Sequence, residues 1–536
     1  MKCPNCNGTL YFDVKTQKLK CAHCSGVFEV EDYDRNNSAE ESIIEGARLY
    51  TCKNCGAQLI SANDEAVSYC SYCGSEAILE SEISGVKRPK YIVPFKISKS
   101  QCKSIYQKKL KDKFYVPKEF KDPEFINKFR PFYIPYWMYT VSFREDPFEI
   151  KGHKSYTRGG YDYYEEYKIK ARIRDNGMYG IPYDASRNFD DTIAEQIAPF
   201  NKKDLVKYHQ GYLAGMYADA PNVDGQTYKD EVLDKAAQVA VEDLKDDLHG
   251  ITPVLPHRRN KLKEFLGAEY AGEDTIFLPM WFLTWRKGNR VAYAVVNGQS
   301  GKIHIDLPAD MNVFMVYTAI GAAVLFALLT LFVSVTSRFV IWFSALLLYL
   351  LGIRYHKELT EIRNRENHVF DKGYLLNDEK ELPMSEKKRS RIRRRIRKDS
   401  SVFRIILYSI LLFMFIIMFA VSGELFDLLV SQTGAIAMTF LILILEFVRF
   451  LKQINVARYL RNKRSLLICF LGLGAVVYAF FVASMQPVED WWYYLGGLIC
   501  LFAACAMSID LILRYNETST RPLPSFYTRK GGNDNA

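Results

Sequence analysis

The sequence predicts a multi-domain chain of 536 residues: two N-terminal zinc ribbons, a cytosolic α+β domain with antiparallel strands, and a C-terminal α-helical membrane region of six spans. Three observations carry that reading. Eight of the twelve cysteines fall in C-x-x-C pairs near the start, strand-like and helix-like patterns alternate up to about residue 310, and apolar runs separated by basic connections follow. Whole-chain averages hide the division, because a mean hydropathy of −0.12 describes a soluble protein only if charge is evenly spread. Much of the net charge of +10 lies between apolar runs, which points to a membrane surface rather than nucleic acid.

The first cysteine module, 1–32, reads CPNCNGTLYFDVKTQKLKCAHC with Cys3, Cys6, Cys21 and Cys24. The second, 48–80, reads CKNCGAQLISANDEAVSYCSYC with Cys52, Cys55, Cys70 and Cys73. Fourteen residues separate the pairs in both. Two tight turns that each offer two thiolates to one tetrahedral ion match a structural zinc ribbon, and Gly8, Gly26, Gly56 and Gly74 suit the turns. A four-thiolate site leaves no open position for water or substrate, so two structural Zn ions and no catalytic metal are expected. His23 lies inside a knuckle already supplied with two cysteines and is read as a non-ligand. MKCPNC has no apolar stretch after its lysine, so no secretory signal is expected, and a reducing compartment favours metal over disulfides.

Residues 90–310 predict the α+β domain. In SKSQCKSIYQKKLKDKF, Cys102, Ile105, Tyr106 and Leu110 fall at helical spacing behind a Ser98 or Ser100 cap. FYIPYWMYTVSF is aromatic and β-branched, hence a strand, and EEYKIKARIRDNG alternates Tyr167, Ile169, Ala171 and Ile173 with basic residues. Tyr228, Val232, Ala236, Val239 and Leu244 form the apolar stripe of a longer helix. FLPMWFLTW, RKGN and RVAYAVVNG predict a hairpin, with KIHIDLP as a third strand. GQSGK lacks the spacing, the Ser or Thr after lysine, and the following helix of a phosphate loop, so it reads as a turn. Neither H-E-x-x-H nor G-x-S-x-G occurs, and no catalytic residue is assigned. The tyrosines of YDYYEEY are expected in core or interface rather than stacked on bases.

Spans are expected near 312–334, 338–354, 402–422, 433–450, 465–485 and 491–513, each close to the length a bilayer requires. These group as a membrane hairpin (311–355), a basic cytosolic loop (356–400), a second membrane region (401–515) and a cytosolic tail (516–536). KKRSRIRRRIRK, Lys387 to Lys398, and KQINVARYLRNKR lie in alternate connections, whereas GELFDLLVSQ and QPVED carry acids and no lysine or arginine. Basic loops remain cytosolic, which places both termini inside a multi-pass cell-membrane protein. Lys387–Lys398 is also expected to meet anionic lipid headgroups. Glu446 with Arg449, and Asp510 with Arg514, are expected to snorkel at the cytosolic interface.

VPFKISKSQCKSIYQKKLKDKFYVPKEF, FYIPYWMY, IPYDASRNFDD, YLAGMYAD, LPMWFLTW and VNGQSGKIHIDLP, behind two ribbons, resemble the bacterial YdjG-type (TFIIB-type) zinc-ribbon membrane proteins. The resemblance implies a non-enzymatic membrane protein, in some relatives linked with phage-shock-type proteins of envelope stress. The eight cysteines carry over position by position. The expected function is therefore a membrane scaffold that docks a cytosolic or membrane protein partner. The alternative is a transporter or channel subunit regulated by the cytosolic part. A membrane-tethered nucleic-acid binder ranks lower, because NDEAV and SEAILESEIS make the second ribbon's surroundings acidic.

Overall fold

The computed structural model describes residues 1–35, 44, 48–55, 57–61, 70–75, 80–83, 88–113, 115–173, 177–186, 189–248, 250–332, 336–366 and 431–522, with backbone alone at 34–35, 48, 80–83, 322–332 and 522. Two long strands, Arg130–Ser142 and Glu269–Lys287, run antiparallel through the N-terminal half, from Glu269 opposite Ser142 to Phe282 opposite Arg130. Successive side chains point to opposite faces of a strand. Phe132, Ile134 and Tyr136 with Ile276, Leu278, Met280 and Phe282 therefore enter one apolar cluster, while Tyr133, Phe277, Trp281 and Leu283 enter another. Burial on both faces explains why these strands read as nearly unbroken apolar runs.

Twelve strands among the described residues join this sheet. Glu269–Lys287 also takes Tyr91–Ile92 and the hairpin strand Arg290–Asn297. On the other side of Arg130–Ser142 lies Tyr217–Asp219, followed by Gln58–Ser61, Arg48–Thr51 and Glu80–Ile83 from the second cysteine module. The first module instead keeps its own three-stranded sheet. Its Cys3, Leu10, Phe12, Leu19 and Val30 pack with helix Lys99–Leu110 over one face of the large sheet. Cys52, Cys55, Cys70 and Cys73 pack with Ile193, Ala194 and Ile197 over the other. The two modules thus flank a single sheet.

Helix Lys99–Leu110 begins at Ser98, whose hydroxyl accepts the Gln101 N–H while Gln101 reaches back to the Ser98 backbone, a reciprocal cap. In helix Lys229–Asp247 the stripe runs Val232, Ala236, Ala240 and Leu244, so Ala240 replaces the expected Val239 on the four-residue ridge. Asn297 and Lys302 close GQSGK into a turn between strands Arg290–Asn297 and Ile303–Ile305.

The tyrosine segment was expected in core or interface, and the structure excludes the core. Phe148–Arg158 and Tyr161–Ala171 form a long hairpin that turns at Gly159 and Gly160, both at positive φ. Only its base, through Phe148, Ile150 and Ala171, reaches a core cluster, so Tyr161, Tyr163 and Tyr164 are exposed rather than in the core.

Among the described residues of the C-terminal half, four helices, not six, are long and apolar enough to cross a membrane: Ser337–Glu366, Gln432–Tyr459, Lys463–Met485 and Trp491–Thr518. At 1.5 Å per residue they reach about 34 to 45 Å, beyond the ~30 Å apolar thickness of a bilayer. They pack around one cluster that includes Ile341, Leu348, Ile442, Val476, Ala479 and Ala503. The expected span 312–334 falls on helix Met311–Phe332, none of whose described residues joins that cluster; Phe314, Val316, Tyr317 and Ile320 are exposed. Its side chains are described only as far as Gly321, and that stretch is apolar. The expected span 402–422 and the Lys387–Lys398 stretch lie outside the described residues.

At one end of the bundle Ser337 donates to Asp490 (2.7 Å), Gln432 to the Ala483 carbonyl (2.8 Å) and Tyr493 to Gln432 (3.0 Å). The opposite end meets the α+β domain. There Asn516 and the Ala309 backbone exchange two hydrogen bonds (2.7 and 2.9 Å), and Arg290 donates to the Thr520 carbonyl (2.9 Å) and hydroxyl (2.7 Å). Beyond the last helix, Arg521–Pro522 pairs with Arg290–Val291, so the chain returns into the domain's sheet.

Candidate functional site

Each cysteine module brings its four sulfurs within 4.8 Å of one another. Sulfurs bound at about 2.3 Å to a tetrahedral ion stand about 3.8 Å apart. Cys3 and Cys24 are 3.7 Å apart, Cys6 and Cys21 3.4 Å, Cys52 and Cys73 3.7 Å, and Cys55 and Cys70 3.7 Å. The spacing suits a shared ion and is far too long for disulfide bonds. Both clusters can therefore hold a metal ion, and with four thiolates each ion would be enclosed.

Within each cluster the protons are shared unevenly: the Cys6, Cys55 and Cys70 thiols are held above the usual range, the last two by hydrogen bonding to the Cys52 sulfur, while Cys21 and Cys52 are held below it. The amide N–H groups of Cys24 (3.5 Å) and His23 (3.3 Å) point at the Cys21 sulfur and draw its thiol down to about 6. The Cys55 thiol draws Cys52 down to about 6 as well. Stabilised thiolate is the form a metal takes. A Cβ at Gly8 would stand 3.2 Å from both Cys6 and Cys21 sulfurs and 2.8 Å from the His23 Cβ, so the turn accepts only glycine without displacement. The His23 imidazole is not part of the cluster, as expected.

The two sites differ in their surroundings. Cys6 and Cys24 are exposed, whereas all four cysteines of the second module are buried. The second module is also bolted to the domain by polar contacts. Tyr72, between Cys70 and Cys73, donates to the Asp219 carboxylate at 2.7 Å, and Tyr293 donates to the Tyr72 carbonyl at 2.6 Å. Thr284 donates to the Ser71 carbonyl and Ser186 to Asp219. The first module instead presents a groove of about 770 Å³ lined by Lys2, Pro4, Asn5, Val27, Phe28 and Tyr33.

Two further constellations emerge. At the junction with the helices, Arg521 pairs with Asp190 (2.7 Å) and lies 3.6 Å from Asp306, which His304 also contacts at 3.1 Å. Burial pushes both carboxyls up. The Arg521 guanidinium outweighs this, helped by Thr192 at Asp190 and His304 at Asp306, and holds both below the usual carboxylate range. Inside the bundle, Glu446 and Arg449 do not snorkel. Arg449 Nε donates to Glu446 at 2.7 Å, with both side chains buried between helices, and Asp510 and Arg514 are buried likewise. Both pairs lie on the inward faces of long helices that extend past them, which is why spacing along the sequence misplaced them. Asp219, Asp190, Asp306 and Arg521 had no sequence signal, since their partners are distant in the chain. Gln453 did have one, four residues after Arg449 on the same face.

Two cysteine clusters that can hold metal, on a sheet-centred α+β domain, joined to four helices of membrane-spanning length, define a class: a metal-cluster domain carried by a helical membrane-type bundle. The chain is similar to the uncharacterized protein YdjG of Bacillus subtilis (strain 168), with 27% identity over 308 residues covering 56% of this chain and 88% of that protein. No family model matches the chain. No solved structure matches it either.

Proposed function

We propose that the protein is a non-enzymatic multi-pass scaffold of the cell membrane, whose two zinc-bearing modules and α+β domain dock a protein partner at the inner membrane face. The observation that carries the reading is the return of Arg521–Pro522 into the sheet, because it fixes the domain to the bundle instead of leaving it on a linker. Zinc is favoured as the metal by the all-sulfur donor set and by the sulfur spacing. The exposed groove at Val27 and Phe28 is the docking surface best supported. The family resemblance adds envelope stress as its setting.

Orientation follows from charge. Arg458, Arg461, Lys463 and Arg464 lie at the domain end of the bundle, and Glu489 and Asp490 at the other, which favours a cytosolic domain and cytosolic termini. Six crossings are part of the proposal. Helix Ser337–Glu366 ends at the domain side, while Gln432 begins the next described helix at the far side. Likewise Asp310 lies at the domain side and Ser337 at the far side, so two further passages join them.

A photo-crosslinking residue at Val27, in intact membranes, should yield a defined protein adduct that a probe at Val488, fully exposed at the opposite end, does not. Identical adducts from both positions, or none from Val27, would reject scaffolding through the first module. A transporter or channel subunit is the second reading, favoured by the buried Glu446–Arg449 pair. It requires ion flux in proteoliposomes that Glu446→Gln abolishes.

A further inference from the structure

Polar side chains gather in two tiers inside the bundle. The deeper tier is Glu446 and Arg449, set against two glycines: a Cβ on Gly352 would overlap the Arg449 guanidinium, and one on Gly472 would lie 3.5 Å from Glu446 Oε1. About one helical turn nearer the α+β domain lies the second tier, to which each of the four described bundle helices contributes. Asp510 Oδ2 accepts from Tyr355 and from Ser465 (3.3 Å) and lies 3.5 Å from Arg514 Nε. Gln453, on the helix of Glu446, is buried at the same level.

Several buried atoms here have no hydrogen-bond partner among the described residues: Gln453 Nε2 and Oε1, Arg449 Nη1, and Asp510 Oδ1, which Arg464 Nε approaches at 3.1 Å without alignment. Burying such atoms unpaired is unfavourable, the more so where the surroundings are apolar. The nature of the missing partner can be read from them. A bare cation needs oxygens alone and an anion needs donors alone, but this set mixes the two, and Glu446 and Asp510 are balanced by Arg449 and Arg514. Water both donates and accepts, and matches the set.

We infer that the bundle contains an aqueous site at Gln453, Asp510 and the Glu446–Arg449 pair, reached from the domain side past Arg464 and sealed beyond Glu446. Arg464 is half exposed and forms the outer rim. Past Glu446 the interior is Ile442, Ala345, Val476, Ala479 and Cys500, an apolar plug. The described conformation is closed, so entry requires Gln453 or Arg464 to swing aside. Protons and small hydrophilic solutes then reach Glu446 from one side only.

The inference rests on the membrane-spanning reading, and three native cysteines separate the two. Cys469 is buried one turn from Gly472 at the second tier, Cys500 is buried in the plug, and Cys505 is exposed on the outer face of the last helix. Inverted and right-side-out vesicles are treated with a charged, membrane-impermeant maleimide, and modification is read at each cysteine by peptide mapping. Cys469 should react from the domain side only, Cys500 from neither side, and Gln453→Leu should slow Cys469 about tenfold. Protection of Cys469 from both sides, reaction at Cys500, or an unchanged rate in Gln453→Leu would overturn the aqueous site. Reaction at Cys505 would instead overturn the membrane-spanning reading.

Discussion

Cys6 and Cys70 offer the same chemistry in different surroundings, and their loss should differ accordingly. Cys6→Ser leaves an exposed hydroxyl on a module with its own sheet and should reduce bound metal from two ions per chain to one while destabilising the domain by less than about 2 kcal/mol. Cys70→Ser places an unpaired group in the cluster around Phe132, Phe282 and Tyr293 and should cost more than about 4 kcal/mol, seen as loss of a cooperative thermal transition. Metal content with a melting curve on the full chain checks both. Gly352 is a second residue with a definite task, since its missing side chain makes room for Arg449. Gly352→Ala alone should destabilise the bundle by about 3–5 kcal/mol, because Arg449 is driven from Glu446 and both charges stay buried. In a Glu446→Leu/Arg449→Met background the same alanine should cost under about 1 kcal/mol, and detergent-denaturation of the four variants measures the coupling.

Elements differ in how much the whole depends on them. Past His153, where strand Thr252–Val254 ends its pairing, the outer part of hairpin Phe148–Ala171 is held among the described residues by contacts within the hairpin, such as the Tyr156–Tyr163 stack and the His153–Tyr164 stack. Replacing 155–164 with a two-residue Asn-Gly turn should shift the domain's stability by less than about 1 kcal/mol, as urea denaturation would report. That hairpin also illustrates what a sequence conceals. Its alternation and its glycine turn were legible, but whether an aromatic row is buried depends on what lies opposite, and among the described residues the neighbouring strand Thr252–Val254 reaches only as far as His153. Helix Lys99–Leu110 shows the reverse case, because cap and stripe are both local and both could be read directly. The bundle helices fall between. Their apolarity was plain, yet the inward placing of Glu446, Arg449 and Asp510 is a property of four helices together.

Across the whole molecule, the parts fixed by short-range pattern were readable: the eight cysteines, the antiparallel strands and the apolar runs. Hidden were the contacts that join parts far apart in the chain, such as Tyr72 with Asp219 and Arg521 with Asp190. The latch around Arg521 has a pH dependence that can be worked out. Asp190 and Asp306 are held below 3.8 in the folded protein, so their contribution is complete above the unfolded value of about 3.9 and disappears as pH falls through the lower folded values. Protease release of the C-terminal segment should be slow from pH 8 to about 5 and rise steeply below about 3.8, while Arg521→Gln should show fast release already at pH 7. A latch built from the last described residues also dictates an order of biogenesis. The ribosome delivers the domain before the helices, but the edge strand that borders Arg290–Val291 arrives only after the final helix has left the exit tunnel. Chains stalled or cut short during insertion would therefore display an unfinished sheet margin, a mark by which quality-control proteases could tell them from completed molecules.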